Sequence, residues 1–492
     1  MRADDLLSGL HHESDFEEID GVGEWWLPSC ESIHVSGEFK FNVNGCSRLI
    51  AIGNFGDDQE FRHSNYPVIA GRTDAGAEIT LFDCKVMASR LYKDNESQVR
   101  VRRDIVFDEC WIGNVSYKSK EELLFDEISF GINNLNWWVG DSTFEYNIQD
   151  EFNEISFNVG NKVVLYEDAN VNIVIKHCPE IHSINPGELE LGIADHLRVV
   201  IHSKIGLIPY YPITSGMVFL SNYVDKIYSF LSLLIGENPY PYDIRGSGGC
   251  RKAYLRVKRD IIVRERGGGM DSLRVLFPRQ ILSCLDIRNV VLGFMDIYDK
   301  ATTGIKYLTG FNIRSQLYAQ YTLPEAIYNF EGLESVLYDG SVTAAEYSLS
   351  NANKGILDGI LDKCEAREKN FLESRFKRKT ITLKERISHV LNDVHEVFPY
   401  VKGIEDGVLK ILVEVRNNYS HYGQGDFTDP YNYVALVHFV NYLTVSLVLY
   451  KSGMPTKVIA ACLNKIEGDY LGIKYNFERC FPVATEKYNH KK

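Results

Sequence analysis

The sequence predicts an α+β protein of several domains: an antiparallel β-rich, sandwich-like domain at the N-terminus, followed by an all-α helical bundle. Three observations predict it. The chain has 492 residues, about three times the usual single-domain length. Up to about residue 205, short β-branched and aromatic runs recur between turn signals. From about residue 280, nearly every segment carries apolar residues at helical spacing.

The β-rich region is read from VSGEFKFNV, RLIAIGNF, EITLFDCKVMAS, VRVRRDIVFDECWIG, LLFDEISFGI, NVNIVIKH and LRVVIHS. Glu38-Phe39-Lys40-Phe41-Asn42-Val43 alternates, and Asn44-Gly45 suits a primed hairpin turn. No long helical pattern intervenes, so an antiparallel sheet is expected over 1–205. Residues 206–279 read as a mixed connector. It holds a helix over Met217–Ile235 ended by Gly236, the basic run RKAYLRVKRDIIVRER, and the breaker Gly267-Gly268-Gly269. That breaker lacks the Lys-Ser/Thr of a phosphate loop and reads as a connector. Over 280–492, helices are expected at Leu323–Tyr338, Thr343–Lys377, Leu383–Val397, Ile404–Tyr422 and Tyr431–Lys451, joined by short loops as in an antiparallel bundle.

Composition narrows the function. Hydrophobic residues at 45% and charged residues at 24% exclude a largely disordered chain. A net charge of -14 argues against wholesale coating of nucleic acid or anionic membrane, but leaves room for a local basic groove. Ten cysteines without a CxxC pair exclude a zinc ribbon and a dense disulfide framework, and no metal ligand set is expected. Scattered cysteines suit a reducing cytosol, and the acidic N-terminus shows no secretory signal, so a cytoplasmic protein is expected. Val434–Tyr450, broken by His438, Asn441, Thr444 and Ser446, reads as a buried helix rather than a membrane span.

The chemistry concentrates in Val415-Arg416-Asn417-Asn418-Tyr419-Ser420-His421. Val408, Leu412, Val415, Tyr419 and Tyr422 form a helical stripe facing a core. At about 100° per residue, Arg416 and His421 fall off that stripe, and Asn417 lies about 40° from His421. Histidine exchanges a proton near neutrality, and arginine holds phosphate through two hydrogen bonds. The alternative on these residues alone is a water-facing histidine at a helix end. Glu331 and Glu334 read as bundle-surface residues or interhelical ion-pair partners rather than a metal pair. The doublets Trp25-Trp26 and Trp137-Trp138 read, in a β domain, as one ring inward and one outward.

An Arg, a polar residue and a His after four intervening positions is the signature of HEPN-domain ribonucleases, and the chain resembles that superfamily here. Gly23-Glu-Trp25-Trp26-Leu27-Pro28, Val35-Ser-Gly37-Glu-Phe39 and Leu135-Asn-Trp137-Trp138 resemble the ApeA-type N-terminal domain. Ser229-Phe-Leu-Ser-Leu-Leu-Ile-Gly236 and Asn329-Phe-Glu331-Gly-Leu-Glu334 suit the same family's C-terminal region. The resemblance implies an endoribonuclease of anti-phage defence that needs no cofactor, with Arg416, Asn417 and His421 as catalytic residues. It implies a homodimer whose two motifs share one cleft, and products ending in 2′,3′-cyclic phosphate and 5′-hydroxyl. It also implies an N-terminal domain that senses a phage-derived trigger or restrains the bundle. Structured RNA such as tRNA is a reasonable target. The alternative is a catalytically silent HEPN dimer that binds RNA as a scaffold. Arg251–Arg266 holds seven Lys/Arg against two acids, and Glu365–Arg386 eight against four. Arg256, Lys258 and Arg259 in the first, and Arg375, Lys377 and Arg378 in the second, are the candidate RNA-backbone contacts.

Overall fold

A computed structural model of the chain describes residues 19–464 apart from internal segments. The longer of these are 42–46, 57–64, 94–98, 140–144, 258–276, 311–318, 339–355, 377–381 and 421–429. The chain divides into two units. The first comprises residues 1–136, 141–228 and 239–270; the second comprises 137–140, 229–238 and 271–492.

The first unit is built on antiparallel strands. β1 (Ile19–Trp26), β2 (Val35–Phe41), β3 (Arg48–Ile52), β4 (Asn65–Thr73), β5 (Glu78–Lys93) and β6 (Val99–Val106) pair in the cyclic order β1-β2-β3-β6-β5-β4 and back to β1. The sheet therefore covers its apolar face by closing into a six-stranded barrel. Sixteen residues let β5 serve twice. Its second half pairs with β6, and its first half with β7 (Glu109–Gly113).

From β7 the sheet continues away from the barrel. The chain next forms β8 (Leu124–Phe125), β9 (Glu127–Ile132), β10 (Glu145–Gln149), β11 (Glu154–Asn158), β12 (Val163–Glu167), β13 (Val171–Asn185), β14 (Glu188–Ser203), β15 (Ile208–Pro209), β16 (Pro241–Gly248) and β17 (Arg251–Val257). Beyond β7 the order runs β17-β16-β9-β14-β13-β12. β16 and β17 come from the segment read as a connector, and they lie inside this sheet between β9 and β7. The Asn44-Gly45 turn lies outside the described residues.

The barrel core shows why alternation matters. Trp25 is fully buried and its indole Nε1 donates to the Gly37 carbonyl at 3.2 Å. Trp26, the next residue, faces outward and stacks on His34 with ring centroids 4.8 Å apart. That is the in-and-out arrangement expected of the doublet. A Cβ added at Gly71 would sit 2.2 Å from Trp25 Cε3, so only glycine lets β4 approach this ring. Gly71→Ala is expected to destabilise the unit by about 1–3 kcal/mol through overpacking. Urea unfolding followed by tryptophan fluorescence measures it.

Trp137-Trp138 departs from the expected strand pair. Asn134, at φ +65°, ends the strand path, and Leu135–Val139 forms a short helix, α1. Alternation does not apply there. Trp138 is buried in the second unit and donates from Nε1 to the Phe277 carbonyl at 2.9 Å.

Helix α2 (Leu220–Ile235) follows, ended by Gly236 at φ +77°, whose N–H reaches the Ser232 carbonyl at 2.9 Å. After the short α3 (Arg279–Leu282), the second unit is helical: α4 (Ile287–Gly310), α5 (Ala319–Leu337), α6 (Ala366–Phe376), α7 (Leu383–Asp393), α8 (Glu405–Ser420), α9 (Pro430–Lys451) and α10 (Thr456–Asn464). Every residue of α9 from Ala435 to Leu449 is buried, so this helix is the axis of the unit and packs against α4, α5 and α10. Of its polar members, Thr444 is accommodated locally, its Oγ1 donating to the Val440 carbonyl at 2.6 Å. Among the described residues, no helix is long and apolar enough to cross a membrane. α7 begins with a capping box, in which Thr382 and Glu385 each bond the other's backbone N–H.

Candidate functional site

The site is organised by α5. On α8, Val408, Leu412 and Val415 are buried as the stripe predicts, so Arg416, one position on, leaves the core at its edge. Its side chain is 39% exposed. The guanidinium Nε lies 3.6 Å from Glu331 Oε2 of α5, and the guanidinium carbon lies 6.0 Å from the Tyr328 ring centroid. Nε itself is buried, so the fork is held from its inner edge by a carboxylate and an aromatic ring. Asn417 is exposed beside it. The described part of α8 ends at Ser420, and His421 lies outside the described residues.

One helical turn along α5, Glu334 is buried and pairs with Arg386 of α7. The same Arg386 nitrogen lies 3.5 Å from the Glu331 carbonyl. The two acids, three residues apart on one helix face, thus each receive an arginine from a different helix. Of the two roles expected for Glu331 and Glu334, bundle surface or interhelical ion pair, the structure shows the ion pair. Sequence inspection missed Tyr328 as the ring under Arg416, and missed that Arg386 is the partner of Glu334. The i,i+3 spacing of Tyr328 and Glu331 was the available signal.

At the far end of α5, Tyr338 donates to Asp393 Oδ2 at 2.5 Å, and Lys451 Nζ stands 3.7 Å from the Tyr338 ring centroid. Burial, reinforced by the bond to Asp393, pushes the Tyr338 hydroxyl well above its usual value. It remains a donor throughout the physiological range.

The candidate RNA contacts are less fully placed. Arg256 lies on β17 with its Cα opposite Cys110. Its side chain, and all of Lys258 and Arg259, fall outside the described residues. Arg375 lies on α6; its side chain, with Lys377 and Arg378, falls outside them too. Among the described residues, no group of three or more His, Cys, Asp or Glu side chains is gathered as a metal site.

An antiparallel β-rich unit followed by a helical unit is the order expected from the resemblance to HEPN-type proteins. Family comparison agrees: the model described as Apea-like HEPN matches residues 326–457, and that of ApeA N-terminal domain 1 matches residues 22–280. The second match covers more than half of the chain, and the chain belongs to the ApeA family. Membership places it among defence-associated proteins of nuclease type, in which the HEPN domain generally implies ribonuclease activity. Comparison with curated proteins and with solved structures finds no match.

Proposed function

We propose that the chain is a homodimeric, metal-independent endoribonuclease that cleaves cellular RNA, tRNA included, in anti-phage defence. The observation that carries this reading is Arg416: a half-exposed guanidinium anchored by Glu331, with Asn417 beside it and His421 five positions further along.

The chemistry follows from the residue types. The 2′-hydroxyl attacks phosphorus while losing its proton, and the 5′-oxygen leaves while gaining one. His421 serves one of these transfers, since imidazole holds both protonation states near neutrality. A cationic imidazole near a helix C-terminus is favoured by the helix dipole, which would suit His421 to the role of general acid. Arg416 stabilises the charge that builds on the phosphoryl oxygens. Asn417 orients the phosphate or the imidazole. A twofold arrangement would bring two such motifs to one cleft, and the N-terminal domain would sense infection or restrain the bundle.

Incubation of the purified protein with total RNA in EDTA tests the proposal. Fragments ending in 2′,3′-cyclic phosphate and 5′-hydroxyl are expected, and His421→Ala should slow their appearance by about 10²–10⁴-fold. RNA bound without product would favour the catalytically silent dimer.

A further inference from the structure

The β5–β6 ladder of the barrel carries a second cationic feature. Along β6, Val101, Arg103 and Ile105 are buried, so strand alternation turns Arg100 and Arg102 outward, and both are exposed. Arg103 has a structural task. Its Nη1 donates to the Gly53 carbonyl at 3.2 Å, its Nη2 to Asn54 Oδ1 at 3.3 Å, and its guanidinium stands 5.7 Å from the Phe55 ring centroid. Those bonds fix the register of β6, because a slip of one residue would exchange Arg103 with Arg102.

Across the ladder, Arg102 stands directly opposite Arg90 of β5, which is also exposed, and Arg100 stands opposite Tyr92. Like charges facing each other on neighbouring strands are destabilising. Among the described residues, neither the Arg90 nor the Arg102 side chain makes an ion pair or hydrogen bond, whereas Arg100 is engaged with a partner. Asp104, the acid two residues along the same face, is opposite Ala88 and makes no ion pair with Arg102. The face keeps a repulsive arginine pair in a chain whose net charge is -14.

We infer that this outer face of the barrel binds the phosphate backbone of nucleic acid. Arg100 and Arg102 stand about 6.6 Å apart along one strand at a rise of about 3.3 Å per residue. That spacing is comparable with the separation of neighbouring phosphates in a nucleic-acid strand. Arg90 and Arg102 lie about 5 Å apart across the ladder. The forks of Arg90 and Arg102 take phosphate bidentately, and the bound anion relieves the repulsion between the pair. A row of cations at strand spacing fits a linear polyanion better than a single small anion. The binding is separate from cleavage and holds whether or not Arg416 is catalytic.

The test uses the full chain carrying Arg416→Ala, so that RNA stays intact, in EDTA. Anisotropy of a fluorescein-labelled single-stranded RNA, and of DNA of the same sequence, is followed between about 50 and 200 mM salt. Adding Arg90→Ala and Arg102→Ala together should weaken binding about tenfold or more at low salt. It should also flatten the log K against log salt slope by about two, each single change giving about one. The melting temperature should be equal to or above that of the parent, since a repulsive pair is removed. An unchanged slope for both nucleic acids would overturn the inference. Co-sedimentation of the same variants with phosphatidylserine vesicles is the control, and a loss confined to those vesicles would also overturn it.

Discussion

Arg416→Ala is expected to reduce RNA cleavage by about 10²–10³-fold in kcat, the usual cost of removing one donor to a charged transition state. The bundle should fold as before. The side chain is 39% exposed, and its ion pair with Glu331 lies at the rim of the helical unit, where such pairs contribute at most about 1 kcal/mol. Arg416→Lys should recover little, because an ammonium keeps the charge without the planar fork. Glu331→Gln tests how the fork is aimed. It keeps the size of the side chain and removes the charge 3.6 Å from Nε. A fall of about tenfold is expected, partly restored by Glu331→Asp, with the melting temperature unchanged. Single-turnover cleavage of one purified RNA separates these cases. An Arg416→Ala protein that cleaves at the parent rate would remove the basis of the proposed mechanism.

Much of this was legible in the sequence because it is periodic. β-branched and aromatic runs located β2, β3, β5, β6, β7, β9 and parts of β13 and β14, but not β4, β10, β11 or β12, and helical spacing located α5, α7, α8 and α9. Other features depend on partners distant in the chain. Closure of the barrel rests on β5 reaching β4, β6 and β7 in turn, and nothing local in Glu78–Lys93 reveals three partners. β16 and β17 join the sheet more than a hundred residues after β7, which made them read as connector. Trp137-Trp138 misled because rule-based alternation assumes a strand, whereas Asn134 at positive φ turns the chain into a helix. At the site, the Arg416 motif was visible as spacing. Its partners Glu331 and Tyr328 lie some eighty residues earlier, on another helix.

Glu334→Ala is expected to give the largest loss of stability in the helical unit, about 3–5 kcal/mol. Glu334 is 1% exposed, and the side chain of Arg386 is 18% exposed, so the change leaves a nearly buried guanidinium without its counter-charge. The cost arises from that orphaned charge rather than from the worth of the pair itself. Replacing both, as Glu334→Leu with Arg386→Met, should therefore restore most of the loss and could exceed the parent. The single change should lower the melting temperature by roughly 10 °C in calorimetry. At temperatures well below that melting point, cleavage per folded molecule should fall far less than for Arg416→Ala, because Glu334 holds α5 to α7 and does not itself meet Arg416. A double variant as unstable as Glu334→Ala would show that packing in this part of α5, and not the uncompensated charge, sets the cost.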